Sequence, residues 1–329
     1  MPLAERELIE QIRRTVGTSR QTRVRAGRAA IRVGIGDDCA VLRPRAGHDL
    51  LVTTDFTLEG IHFRREWHSP ESVGHRCVAR GLSDIAAMGG EPVAVFLSLA
   101  LPRELPPSWV QQFLRGLTRL AEKHGASLAG GDTAESPNAV LADIITLGSV
   151  PKGKAVLRSG ARAGDRIYTS GQLGGSAAAV TEMQRHPKRK LNPASYPRHF
   201  FPEPRIEIGR VLREKELVSA MIDTSDGLST DLAHICEESG VGAEIIEGTI
   251  PRAQVGKPAR DVGIDLALHG GEDYELLFTV PGGKRVPPQI AGVPLTCVGE
   301  MKRGRKILLK SGSGPAHELT ARGWEHFRR

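Results

Sequence analysis

Aromatic residues make up only 4% of the 329-residue sequence, so any sizeable core must be built from aliphatic side chains. Cysteine is scarce: Cys39, Cys77, Cys236 and Cys297 stand far apart with no CxxC pair. That excludes a cysteine-based zinc site and a disulfide framework, and points to reduced thiols in a cytoplasmic protein. No apolar run approaches the ~20 residues a membrane span needs, and no signal peptide opens the chain; the longest run is Val93 to Leu101. The phosphate grips of the common nucleotide folds are also missing. There is no GxxxxGK[ST], and Gly34-Ile-Gly36 lacks the third glycine of the dinucleotide fingerprint. Gly171-Gln-Leu-Gly174-Gly175 fits a plain turn before a helix as well as it fits a phosphate contact.

Charge is plentiful. The formal balance is +7, with a pI near 9.4, and arginine crowds the start at Arg13, Arg14, Arg20, Arg23, Arg25, Arg28 and Arg32. No aromatic residue lies among them to stack on bases, so a solvated basic face that attracts anionic substrates is expected rather than nucleic-acid binding.

Against that basic background the acids are placed unusually. In residues 34–42, GIGDDCAVL, an expected strand Ile31–Ile35 runs into Asp37 and Asp38. Adjacent carboxylates repel unless a cation or solvent screens them, and acids are depleted in strands. One such stretch would be a solvated turn. Here Leu51-Val-Thr-Thr-Asp55, Leu82-Ser-Asp84, Gly130-Gly-Asp132-Thr and Ile222-Asp-Thr-Ser-Asp226-Gly repeat the pattern. Five such sites are hard to attribute to turns.

The length calls for two domains. Leu8, Ile9, Ile12 and Val16 mark a short helix ended by Gly17; strands follow at Ile31–Ile35 and Asp49–Thr54. Ser69-Pro70 starts a helix that Gly89-Gly90 ends, and Val93–Leu101 is a buried strand. Pro106-Pro107-Ser108 opens a helix whose buried stripe is Trp109, Val110, Phe113, Leu117 and Leu120; Ser127–Ala129 leads into the glycine pair, and Val140–Val150 is another strand. This alternation predicts an α/β domain over residues 1–150, with a boundary at Pro151, and a second domain over 151–329. In the second half, strands are expected at Arg166–Ser170, Ser219–Asp223 and Leu276–Val280, helices at Arg205–Arg213 and Ser229–Glu238, and a mobile surface loop at His186–Pro204.

Asp-rich sites with Thr and Ser hydroxyls and few histidines favour hard divalent cations, above all Mg2+. Mg2+ held by one or two carboxylates at a time takes its other ligands from substrate phosphates. Several such acids suggest a polyphosphate held by several metals. No histidine or glutamate looks placed as a general base, so no catalytic protein group is expected.

The motifs GIGDDCAVL, TTDFTLEGIHF (53–63), LSDIAAMGGEP (82–92), GGDT (130–133), RSGARAGD (158–165), PEPR (202–205), IDTSDGLSTDL (222–232) and GGEDYELLF (270–278) resemble, in order and spacing, the thiamine-monophosphate kinase family. The resemblance covers roughly Glu5 to Phe327. That family shares a two-domain ATP-binding fold with aminoimidazole-ribonucleotide synthetase and selenophosphate synthetase. The resemblance implies an α/β N-terminal domain that pairs in a homodimer and an α+β C-terminal domain. It implies transfer of the γ-phosphate of ATP to thiamine monophosphate. By motif position, the Mg2+ ligands would be Asp38, Thr53, Thr54, Asp55, Asp84, Asp132, Asp223 and Asp226. Gly131, Asp132, Arg158 and Ser225 would contact ATP, and His62, Glu272 and Trp324 the acceptor. Read alone, His62 is a satisfied histidine at a strand end and Trp324 a packing aromatic; Glu272 and Asp273 are adjacent, and either could face the ligand. One departure stands out: the family often has Asn where this chain has Gly81, so the helix there is expected to differ slightly.

Overall fold

A computed structural model describes residues 9, 10, 12, 14, 30–35 and 38–324. Ile9, Glu10, Ile12 and Arg14 are helical, as expected; Leu8, Val16, Gly17, Asp37 and most of the early arginines lie outside the described residues. The chain divides into two compact units, Met1–Ile85 with Gly90–Lys154, and Ala86–Gly89 with Ala155–Arg329.

The first unit holds a hairpin of β1 (Ala30–Val33) and β2 (Val41–Arg43). Its main sheet has four strands, β3 (His48–Leu58), β4 (Glu91–Pro102), β5 (Ser127–Ser136) and β6 (Leu141–Pro151), in the order β3-β6-β4-β5. β6 runs antiparallel to β3 and β4, while β4 and β5 are parallel. Helices α1 (Pro70–Ala87) and α2 (Pro107–Lys123) supply the large buried side chains Leu82, Ile85, Phe113, Leu114 and Leu117. Ser69 starts α1 as its sequence suggests: its Oγ accepts the Ser72 N–H at 3.2 Å, satisfying one of the unpaired donors of the first turn.

Burial along β3 alternates, as a half-covered strand requires. Leu51 and Thr57 are buried, whereas Leu50, Val52 and Phe56 are exposed. The strand continues four residues past the expected end at Thr54, so Asp55 lies inside it rather than at its edge. The glycine pair is also within a strand: Gly130 and Gly131 belong to β5, opposite Phe96 and Leu97 of β4. Gly131 has φ +147°, and a Cβ there would be driven into the Leu97 carbonyl. Only glycine permits that approach of the two backbones. Gly81 leaves α1 undisturbed; the space of its missing side chain is taken by Thr146 of β6, so the departure is a packing exchange.

The second unit is built on a mixed sheet. Its strands are β7 (Arg166–Ser170), β8 (Ala220–Asp223), β9 (Gly242–Ile246), β12 (Leu276–Val280), β14 (Val293–Lys302), β15 (Ile307–Lys310) and β16 (His317–Glu318). The order is β16-β15-β9-β14-β7-β12-β8; β13 (Gln289–Ile290) pairs β14, and β10 (Gln254–Val255) pairs β11 (Arg260–Asp261). Helices α3 (Gly175–Arg185), α5 (Ile206–Glu214), α6 (Leu228–Ser239) and α7 (Ile264–His269) accompany it. Its core joins Leu228, Leu232 and Ile235 of α6 to Ile222, Leu277, Val298 and Met301 of the sheet.

The expected mobile loop, His186–Pro204, is a correction. It contains a 3-10 turn at Pro193–Ser195 and the short helix α4 (Pro197–Phe200), and it buries Leu191, His199, Phe200 and Pro202. His199 Nδ1 lies 2.9 Å from Ser176 Oγ. Its composition suggested a solvated loop because three of its charged residues, Lys188, Arg189 and Lys190, crowd the exposed beginning. The apolar residues that anchor it come later.

Candidate active site

In the first unit the acids gather on the four-stranded sheet. Asp55 points to the face covered by α1, where Thr53 Oγ1 donates to Asp84 Oδ2 at 2.5 Å. Thr54, one residue on, faces the opposite side and donates to Asp143 Oδ1 at 2.7 Å. Three residues expected together, Thr53, Thr54 and Asp55, are therefore split across the sheet by its pleat. Cross-strand register extends the second row: Asp143 lies opposite Ser98, and Ser98 opposite Asp132.

Asp55 is a strongly perturbed acid. Burial, then the charge of Asp84, push its carboxyl up to about 7 against the opposing pull of Arg80, and Asp143 adds to the rise. Its Oδ2 is buried and accepts no hydrogen bond. A carboxylate withdrawn from water beside two others is costly unless a cation joins it. Asp38 and Asp132 both line a cleft of about 720 Å³, with Gly130, Gly131 and Thr133. Asp132 Oδ1 accepts the Thr133 N–H at 2.8 Å. His62 is half-buried, and its Nδ1 accepts the Leu58 N–H at 3.0 Å, a satisfied histidine at a strand end.

In the second unit Asp223 closes β8, and the loop Thr224–Gly227 carries Ser225 and Asp226 into α6. Asp231 Oδ2 on α6 accepts the Gly227 and Asp226 N–H groups at 3.0 and 3.3 Å. Burial, then the charges of Asp223 and Asp226, raise Asp231 well above the usual carboxylate range, and its Oδ1 has no hydrogen-bond partner. The loop is tied to the 272–275 segment: Glu272 N donates to the Ser225 carbonyl at 2.8 Å, and Tyr274 N to the Thr224 carbonyl at 3.0 Å. Glu272 and Tyr274 both have positive φ, 64° and 52°. Each such non-glycine residue costs about 1–2 kcal/mol, a strain that clusters at functional sites.

The two adjacent acids differ in their surroundings. Asp273 is buried and accepts the Gly174 and Ser176 N–H groups at 2.5 and 3.1 Å, so it occupies the start of α3. The Gly171–Gly175 stretch is thus a turn capped by a protein carboxylate. Glu272 remains half-buried. Arg158 is exposed; its carbonyl accepts Ser239 Oγ at 3.3 Å, and the neighbouring Leu157 carbonyl takes the Met221 N–H at 2.9 Å, which lays it along β8. Trp324 is exposed, and its N–H donates to the Asp226 carbonyl at 3.2 Å.

Asp143 and Asp231 join these groups without having been expected. Asp143 sits in the apolar run of β6, the same signal that marked the other acids; Asp231 lies within IDTSDGLSTDL. Among the described residues no three His, Cys, Asp or Glu side chains converge as a self-sufficient metal site.

Residues 36–150 match the family described as AIR synthase related protein, N-terminal domain, and residues 162–287 its C-terminal domain. The thiamine-monophosphate kinase of Salmonella typhimurium is 38% identical over 314 residues, 93% of this chain and 95% of that one. The chain belongs to the thiamine-monophosphate kinase family. The crystal structure of that family's member from Stenotrophomonas maltophilia is 35% identical, with a TM-score of 0.79 over 94% of this chain and 97% of the other. AaThiL complexed with AMPPCP and TMP is 29% identical, with a TM-score of 0.72 over 97% of this chain and 99% of that one. The two-domain α/β plus α+β architecture is the one this family carries.

Proposed function

We propose that this thiamine-monophosphate kinase homologue transfers the γ-phosphate of ATP to thiamine monophosphate, giving thiamine diphosphate and ADP. The observation that carries the reading is a pair of buried carboxylates raised by neighbouring acids, Asp55 by Asp84 and Asp231 by Asp223 and Asp226, on the scaffold of that family. Donors of this kind suit Mg2+ shared between one or two protein carboxylates and phosphate oxygens. Asp38, Thr53, Thr54, Asp55, Asp84, Asp132, Asp223 and Asp226 would hold such ions, which when bound neutralise the charge of the phosphates. Gly131, Asp132, Arg158 and Ser225 contact ATP, and His62, Glu272 and Trp324 hold the acceptor.

The residues themselves bind and orient. A phosphate monoester has a second pKa of about 6, so the acceptor is already mostly dianionic at neutral pH. Such a nucleophile needs alignment and charge neutralisation rather than proton removal, and transfer is direct and in line with no phosphorylated enzyme. The test is product formation from ATP, Mg2+ and thiamine monophosphate, run against free thiamine and against excess EDTA. Turnover only with thiamine monophosphate and metal is expected; full turnover in EDTA, or equal turnover with free thiamine, would remove the reading.

A second copy of the chain is the partner of the open sheet face. Leu50, Val52, Phe56 and Leu141 form an apolar stripe there, with Val52 63% and Phe56 61% exposed. Stripes of this kind mark interaction surfaces. Phe56→Asp should convert a dimer to a monomer in sedimentation; a wild-type monomer would refute the pairing. Four free cysteines without a pair fit a cytoplasmic location.

A further inference from the structure

The last described residues cross the loop that carries Ser225 and Asp226. Gly323 N donates to Thr230 Oγ1 at 3.0 Å, and Trp324 N to the Asp226 carbonyl at 3.2 Å. Arg322 Nη2 lies 3.0 Å from His269 Nε2. A guanidinium only donates, so Nε2 accepts and the ring proton sits on Nδ1. Nδ1 then donates to Ser229 Oγ at 2.8 Å. Burial, and next the charge of Arg322, hold the His269 pKa below its ordinary value, consistent with a neutral ring. Gly323 fits because it has no side chain: a Cβ there would be driven into the Asp226 carbonyl and the Thr230 hydroxyl.

The segment is thus fastened at three consecutive residues, yet Trp324 stays 55% exposed. Large aromatics normally bury most of their surface, so holding one in water needs a reason other than core packing. The fastening also joins two ligand elements. Glu272 is bonded to Ser225 and Trp324 to Asp226, neighbours on one loop.

We propose that Arg322–Trp324 is a latch, held by His269 and Thr230 against the Asp226 loop, that presents the Trp324 ring to the cationic ring of the acceptor. Arg322, His269 and Thr230 are then positioning residues for acceptor affinity. The proposal rests on the reading of Trp324 as an acceptor contact, and the test separates the two.

The experiment is steady-state kinetics of the full chain with Mg2+-ATP and thiamine monophosphate, each variant checked by thermal melting. Trp324→Ala should raise the acceptor KM about 10-fold, within the range of a lost cation–π contact. Arg322→Ala should raise it about 3- to 10-fold, with the ATP KM changed less than about 2-fold and kcat near wild type. His269→Gln, whose amide oxygen reaches the place of Nε2, should keep most of the affinity; His269→Asn, which replaces Nδ1 only, should behave like Arg322→Ala. Because the latch acts through Trp324, adding Arg322→Ala to Trp324→Ala should raise KM no further. If Trp324→Ala raises the acceptor KM and Arg322→Ala does not, the latch alone is wrong. Equal rises in both KM values for Arg322→Ala, or a further rise in the double variant, also overturn it. If Trp324→Ala leaves the acceptor KM unchanged, the reading of Trp324 fails, and the latch with it.

Discussion

Glu275 and Asp55 are both carboxylates withdrawn from water, but Glu275 is met by guanidinium groups while Asp55 is met chiefly by other acids. Glu275 is fully buried, clasped by Arg205 Nε and Nη2 at 2.6 Å each, by Arg198, and by Ser170 Oγ at 2.6 Å. Burial alone would raise its carboxyl; the bond and charge of Arg205, with Arg198 and Ser170, outweigh that and hold it below the usual range. Around Asp55 the balance is reversed, and Arg80 does not offset burial and Asp84. Asp231 in the second unit belongs with Asp55, since burial and the charges of Asp223 and Asp226 raise it in the same way. The contrast separates scaffold from site. Where arginine neutralises a buried acid, the acid holds elements together; at Asp55, burial and the neighbouring acids outweigh the pull of Arg80.

The largest expected effect breaks that contrast at Asp55. Asp55→Asn should lose at least about 100-fold in kcat/KM, about 2.7 kcal/mol of transition-state stabilisation. Without metal the same variant should melt at a higher temperature than wild type, because a repelled buried charge is gone. A lower melting temperature in EDTA would show that Asp55 is a structural acid. Glu275→Ala should do the reverse: removing one partner of a buried ion cluster costs about 3–5 kcal/mol, read by urea unfolding, and Mg2+ should not restore it. A loss below about 1 kcal/mol would place Glu275 outside the scaffold.

The smallest effect sharpens the comparison with Asp273, which is capped by backbone N–H groups. Burial, opposed by those groups, lifts it from 3.8 to about 7. The folded state therefore holds a proton that the unfolded state has released between those values, and this group's contribution to stability falls as pH rises through that window, then levels. Asp273→Asn does not titrate. The melting temperature of Asp273→Asn minus that of wild type should grow from pH 5 to pH 8; a constant difference would mean that Asp273 is ionised throughout.

Much of this was legible in the residues. The Ser69 cap, the α2 stripe and strands β7 and β12 follow from local chemistry and periodicity, and the acids of the site stood out as charges in apolar or glycine-rich stretches. Local pattern failed at His186–Pro204, where basic residues at one end hid Phe200 and Pro202 that pack. The motif resemblance named Thr53, Thr54 and Asp55 side by side, and the strand sends Thr54 to the face opposite Thr53 and Asp55.

By itself the sequence determined which side chains are on offer, carboxylates and hydroxyls set in apolar or glycine-rich stretches and no CxxC pair, together with the two-domain order of elements. Only tertiary structure decided which acids keep their charge available. Neutralisation depends on partners distant along the chain: Arg205 is 70 residues from Glu275, and Thr54 is 89 from Asp143. A local pattern of residues records what a side chain is, while its charge state depends on what folding brings beside it and how much water is taken away.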